Sequence, residues 1–339
     1  MQAPFFIIRV ICLCLACCTY HSAWARDMIR IGWVNAMANT PLLIADQKGY
    51  FREVGLDARI QRFDSGPLVR RALQAGDLDL AYIGMPPVYH ANADGANIKV
   101  IAKVNYGQAA LITRIDSPLQ QLSDLKGKRI AGVRRDSGMD VLLRAFILTD
   151  QAGLDPDRDV KIIHMHTDMM DASVDRGVVD AAFTWEPFVS QAVLTQHARI
   201  LLDVNQVFPH YPWYVIVAPE HSRKQKRVLL LKALKAHMRA VDFLNSDEDA
   251  GSDIIIKTFG LDRVISSLGH AFPAHEVVRE ARQRLGWQYD FASGDRKFLQ
   301  RLMDYSYELG IINKKLNVNE IIDRSFLEQA KKLEVKTQK

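Results

Sequence analysis

The sequence predicts an α/β chain of two lobes joined by two crossovers, and three observations carry that prediction. Short apolar runs alternate with stretches of helical periodicity from Met28 to Ala218, the pattern of strands linked by crossover helices. Strands stand at both ends of the inner block, so the chain leaves its first sheet near Thr113 to Pro118 and returns near Phe208 to Tyr214. A length of 339 residues, 48% of them apolar, is enough for two medium-sized cores. The expected division is residues 1–25 as an export signal, 26–113 with 213–339 as a discontinuous first lobe, and 114–212 as the second.

The amino terminus is set aside before fold reasoning. Arg9 precedes the apolar run Val10 to Cys18, and Ala23-Trp24-Ala25 supplies a small-x-small cleavage site, which predicts a mature chain starting at Arg26. Cys12, Cys14, Cys17 and Cys18 all lie upstream of that cut, so the mature chain has no thiol for a disulfide, a metal or a nucleophile. An alternative stays open. Leu15-Ala16 before Cys17 and Cys18 loosely resembles a lipoprotein signal, with Cys14 where a leucine would be expected and Cys17 preceding Cys18. Either processing places the chain outside the cytoplasm, in the periplasm, free or tethered. No later run has the length and apolarity of a membrane span, since Lys232, Lys235, His237 and Arg239 interrupt Val228 to Ala240. A net charge of +5 gives no nucleic-acid footprint, while a pI near 8.9 suits anionic ligands.

In chain order, Met28 to Val34 alternates as a first strand, and Thr40-Pro41 caps a helix that runs to Lys48. Ala58 to Phe63 is the next strand; Asp64-Ser65-Gly66 turns into a helix opened by Pro67, with Leu68, Val69, Ala72 and Leu73 on one stripe. Leu80 to Ile83 is a short strand, after which Gly84-Met85 leads into a helix begun by Pro86 and Pro87. Both helices are expected to aim free backbone N–H groups from a strand's carboxyl end, the arrangement that receives a small anion. Ile98 to Val104 and Ala109 to Thr113 are strands, Lys126 to Arg129 a solvated cationic turn, and Ile130 to Val133 a buried strand. Beyond Arg134 to Ser137, a third helix starts at Gly138, with Val141, Leu142, Ala145, Phe146 and Leu148 at helical spacing. Val160 to His164, the strand ending at Phe183, Arg199 to Asp203 and Trp213 to Ala218 complete the strands, and the chain from Ser222 onward is nearly all helical, with a frayed lysine-rich tail.

Several segments in order resemble the substrate-binding proteins of taurine, alkanesulfonate and nitrate ABC importers. They are Gly49-Tyr50-Phe51 with Gly55-Leu56-Asp57, Phe63-Asp64-Ser65-Gly66, Arg71-Ala72-Leu73 through Gly76-Asp77-Leu78-Asp79, Gly84-Met85-Pro86-Pro87, Asp124-Leu125-Lys126-Gly127-Lys128, and Gly177 to Ala182 followed by Trp185-Glu186-Pro187. The resemblance covers Ile29 to about Ala218. It implies the two-lobed periplasmic-binding fold of type II, a small solute held between the lobes, and delivery of that solute to a membrane permease with its cytoplasmic ATPase. It implies a monomer with no cofactor, no metal and no nucleic acid.

The ligand-binding candidates sit in the loops at strand ends: Asn35, Met37, Asn39 and Thr40; Asp64, Ser65 and Gly66; Gly84, Met85 and Pro86; Asp136, Ser137 and Gly138; Trp185 and Glu186; and Trp213. Glu186 serves either as acceptor for a cationic ligand group or as a charge at a helix start. Tyr211, Trp213 and Tyr214 either wall the cleft or fill the crossover, and at most one of the adjacent Arg134 and Arg135 can meet an anion. His164 and His166 share a strand face, which suits a metal pair or an exposed strand end. Tyr50 and Phe51 are expected in the core. No nucleophile elbow, P-loop or Rossmann glycine run occurs.

The expected ligand is an organic anion or zwitterion, such as an alkyl or aryl sulfonate, because the methionine and tryptophan walls favour more than a small hydrated anion. A pyrimidine is the runner-up. The rival class is an enzyme of the same fold, a pyrimidine synthase or a desulfinase, which would need a cysteine that the mature chain lacks. An exported sensor domain is the third.

Overall fold

The computed structural model describes residues 27–135, 137–261, 264–265 and 271–333. The predicted signal, its cleavage site, Asp136 and the last lysine-rich residues lie outside them.

Two five-stranded sheets form the frame. The first contains β1 (Asp27–Val34), β2 (Leu56–Phe63), β3 (Leu80–Gly84), β4 (Ile98–Lys103) and β11 (Tyr214–Pro219), in the order β2-β1-β3-β11-β4. β1 pairs in parallel with β2 and β3, and β11 runs antiparallel between β3 and β4. The second contains β6 (Ala109–Arg114), β7 (Arg129–Gly132), β8 (Lys161–His164), β9 (Ala181–Trp185) and β10 (Ala198–Asp203), ordered β10-β6-β9-β7-β8. Among the described residues there are also short two-stranded pairs: β5 (Asn105–Gly107) with β14 (Leu285–Trp287), and β12 (Val264–Ile265) with β13 (Ala271–Phe272).

The first crossover comes earlier than the sequence suggested. Ala109 to Thr113 was expected at the end of the first lobe, but β6 pairs with β9 and β10 of the second sheet. The chain therefore changes sheet between Gly107 and Ala109. Its hinge is marked by backbone conformation: Gly107 has φ 69° and Gln108 φ 125°. A β-carbon on Gly107 would lie 1.9 Å from the carbonyl oxygen of Arg284, so only glycine fits there. The Tyr211 hydroxyl accepts from the Ala109 N–H at 2.9 Å, tying the second crossover to the first.

Each sheet is covered on both faces. Ile31, Trp33 and Tyr82 pack with Leu230, Leu234 and Val277 on one face of the first sheet. Ala110, Ala182, Met170 and Val189 fill the outer face of the second. Between the sheets lies one continuous apolar cluster that includes Ile83, Met85 and Tyr89 from the first lobe and Met139, Phe146 and Phe183 from the second. Burying each such side chain is worth about 2 kcal/mol, so this shared cluster draws the lobes together. Tyr50 and Phe51 are buried, as their sequence context required.

The helix begun at Gly138 departs from the expected form. Its first turn, Gly138–Val141, is α-helical, and Leu142–Gln151 continues as a π-helix. All of Leu142 to Leu148 is buried, including Arg144. Arg144 donates to both carboxylate oxygens of Asp140, at 2.9 and 3.1 Å, which satisfies its charge inside the core.

Candidate functional site

The site is built where three helix starts meet. Pro86 and Pro87, in the Met85–Ala93 helix that follows β3, form its hub. A β-carbon on Gly66, which starts the Gly66–Ala75 helix, would lie 2.5 Å from Cγ of Pro87. One on Gly138, which starts the second lobe's helix, would lie 2.1 Å from Cγ of Pro86. Both glycines are thus required by close approach, and Gly66, Pro86, Pro87 and Gly138 come together from both lobes as the loop spacing implied.

One of the three helix starts lacks the donors expected of it. The Met85 N–H donates to the Trp213 carbonyl oxygen at 3.1 Å, and the next two positions are prolines without N–H groups. The Met85–Ala93 helix therefore offers no free donor in its first turn, although its start stands in the site. Donors must come from the other two starts. Gly66 is the first residue of its helix, with Leu68 and Val69 turned back onto the Ser65 carbonyl oxygen at 3.2 and 3.3 Å. The Ser65 hydroxyl makes no capping bond and remains available. In the second lobe the Ser137 hydroxyl accepts from the Asp140 N–H at 3.2 Å, and the N–H groups of Gly138 and Met139 have no partner among the described residues. Trp213 completes the ring: its indole Nε1 lies 3.9 Å from the β-carbon position of Gly84, with no hydrogen-bond partner among the described residues.

Buried Met85, Met139 and Trp213 stand in the interlobe cluster with half-buried Trp185 packed against it, whereas Met37, expected beside them, is buried in the cluster on the other face of the first sheet. Behind β1, Asn39 is fully buried; its Nδ2 donates to the Val34 carbonyl oxygen at 2.8 Å, and its Oδ1 has no partner among the described residues. Thr40 is spent locally, its hydroxyl donating to the Met37 carbonyl oxygen at 2.6 Å. Asn35 and Asp64 stand exposed at the loop surface.

Glu186 is not a ligand-facing carboxylate. It is 1% exposed, and its Oε1 accepts from Arg284 Nε at 2.5 Å while Oε2 accepts from the Ser190 hydroxyl at 2.7 Å and backbone N–H at 3.1 Å. Burial pushes its pKa upward against the opposing pull of the guanidinium and Ser190. Leaving such a carboxyl without its arginine would be costly, so the pair fixes Glu186 at the hinge and keeps it from a substrate cation. Arg284, 98 residues away, carried no signal in the sequence. The Pro86-Pro87 donor loss, in contrast, was written there.

Other candidates separate in the same way. Arg135 donates to Asp157 at 3.3 Å, whereas Arg134, exposed on the loop before Ser137, has no such partner among the described residues. Tyr211 fills the crossover, buried against Phe298 with ring centroids 5.0 Å apart. His164 and His166 are exposed, and among the described residues no group of three metal-ligating side chains occurs. A hollow of about 580 Å³ lies elsewhere, beside Lys99, Arg296 and Arg324 at the start of β4.

Comparison with known proteins agrees with this architecture. A protein of Bacillus subtilis (strain 168), provisionally named an aliphatic sulfonates-binding protein, is 28% identical over 310 residues, covering 89% of this chain and 87% of its own length. The crystal structure of the periplasmic aliphatic sulphonate binding protein SsuA from Escherichia coli superimposes with TM-score 0.74 at 21% identity, covering 88% of this chain and 92% of that one. The alkanesulfonate-binding protein SsuA from Xanthomonas axonopodis pv. citri, bound to MOPS, gives TM-score 0.70 at 23% identity, covering 88% and 99%. These likenesses show the two-lobed periplasmic-binding fold. The model of the NMT1-like family matches residues 24–257, more than half of the chain, and the chain belongs to that family.

Proposed function

We propose that this chain is the extracytoplasmic solute-binding component of an ABC importer, and that it captures an organic anion, an alkyl or aryl sulfonate, between its lobes. The observation that carries the reading is the meeting of the Gly66 and Gly138 helix starts on Pro86 and Pro87, in an interlobe cluster that holds Met85, Met139 and Trp213. Backbone N–H groups of Gly66, Gly138 and Met139, the Ser65 hydroxyl and the Trp213 indole face a sulfonate's three oxygens; the apolar walls take its carbon chain. No chemistry is asked of these groups. Residues 27–339 contain no cysteine, which removes the nucleophile that a desulfinase reading would need. Glu186 being paired with Arg284, a taurine-like ammonium finds no carboxylate there, so the reading favours sulfonates without an amine. The sulfonate-binding relatives support the ligand class and, with it, a membrane permease as partner. On this reading the chain works as a monomer in the periplasm.

A thermal-shift screen across alkanesulfonates, arylsulfonates, taurine, nitrate, amino acids and pyrimidines tests it. A ligand at a hundred times its dissociation constant adds about 2.7 kcal/mol of stability. Stabilisation by butanesulfonate is expected. A response to nitrate alone, or to a neutral pyrimidine and no sulfonate, would overturn the assignment.

A further inference from the structure

The helix Ser293–Glu308 bridges the two lobes in a way that neither the sheets nor the solute site requires. On one side it is anchored to the first lobe. Asp295 accepts from Lys103 Nζ at 2.7 Å, both side chains buried, and Ser306 shares a 2.7 Å hydrogen bond with the Tyr89 hydroxyl. In its middle, Phe298 rests on the second crossover, 5.1 Å from the ring of Phe208 and 5.0 Å from that of Tyr211. On the other side, beyond that pivot, it reaches the second lobe's π-helix at Asp150. Arg301 donates to both Asp150 oxygens, at 3.2 and 3.4 Å; Tyr305 donates its hydroxyl to the same carboxylate; and the Arg301 guanidinium lies 4.0 Å over the Tyr305 ring.

We infer that Asp150, Arg301 and Tyr305 form a clasp that holds the lobes in the closed arrangement. The geometry gives it this role. Rotation about the crossovers at Gly107–Ala109 and Phe208–Tyr214 leaves Phe298 near the axis, whereas Tyr305, seven residues on, lies about 10 Å further along the helix. An opening motion carries Asp150 away with the second lobe while Lys103 and Tyr89 keep the helix on the first. The Glu186–Arg284 pair behaves differently: the Glu186 N–H donates to Gln108 at the crossover itself, at 2.9 Å, so this pair sits on the pivot. The clasp lies off the pivot, where an opening motion parts its two sides. Arg301 and Asp150 are partly exposed, at 40% and 32%, so water replaces each partner when they part, and the clasp releases without stranding a buried charge. Its strength comes from one carboxylate accepting from two side chains.

The inference rests on the two-lobe clamp of the proposed function, but its test needs no ligand. Small-angle scattering of the processed chain and of its Asp150→Asn and Tyr305→Phe variants reports the closed population directly. Both variants are expected to show a larger radius of gyration than the wild type, the closed-to-open ratio falling roughly five- to ten-fold. Equal radii in all three proteins, each folded by circular dichroism, would overturn the clasp. So would a wild-type curve already matching a fully open form. Failure of every sulfonate to bind, with the radii still different, would instead overturn the solute reading and leave the clasp standing.

Discussion

His237 shows how far burial alone decides a residue's chemistry. It is 0% exposed on the Arg227–Ser246 helix, with Nε2 3.1 Å from the Lys103 carbonyl oxygen and its ring edge-on to Tyr82, centroids 5.5 Å apart. Desolvation lowers its pKa from 6.5 to about 4, so the folded chain holds it neutral, Nε2–H donating. The unfolded chain binds that proton more readily. Its contribution to stability is therefore complete above pH 6.5 and is lost as pH falls through about 4, a change of about 3 kcal/mol. Thermal midpoints at pH 7.5 and 4.5 check this: the wild type should lose more on acidification than His237→Gln, and equal losses would contradict it. Glu186 teaches the complementary lesson. Its sequence setting, between Trp185 and Pro187 at a strand end, suggested a ligand contact, and only the structure brings Arg284 to it.

At the level of elements, the strands were legible because apolar runs bounded by turn residues have few other readings, and β1, β2, β3 and β11 fall within two residues of the runs that foretold them. Two elements were not. The π-helix Leu142–Gln151 shares its apolar spacing with an α-helix over so short a run, and β14 is three residues long, too short for any period to show inside a helical tail. The crossover was misjudged by one strand because β6 looks the same whichever sheet it joins; pairing with β9 decides it. The helix starts were foreseen, yet the free N–H groups assigned to the Met85 helix were not there, since prolines supply none. Gly138 carries the most exposed consequence of this packing. Gly138→Ala sets a methyl 2.1 Å from Pro86 Cγ, so the lobes must part by roughly an ångström or more. The variant is expected to keep its circular dichroism and near-native melting while its sulfonate affinity drops at least ten-fold; unchanged affinity in a titration would show that the lobes do not meet at this glycine when ligand is held.

For the molecule as a whole, two sheets are joined through a shared apolar cluster, a buried ion pair on the pivot and a half-exposed clasp away from it. This division suits a clamp: the pivot contacts persist and the remaining interface can separate and re-form. The overall two-lobed plan followed from alternation and from motif order, whereas the identity of the solute depends on side chains whose partners lie a hundred residues away. Selectivity between sulfonates turns on a single carboxylate being occupied. Isothermal titration of the processed chain with butanesulfonate and, in parallel, with taurine tests it most directly. Saturable one-to-one binding of butanesulfonate is expected, with at least ten-fold weaker binding of taurine, whose ammonium would meet no free carboxylate at Glu186. Taurine binding as tightly as butanesulfonate, or no heat from either, would contradict it.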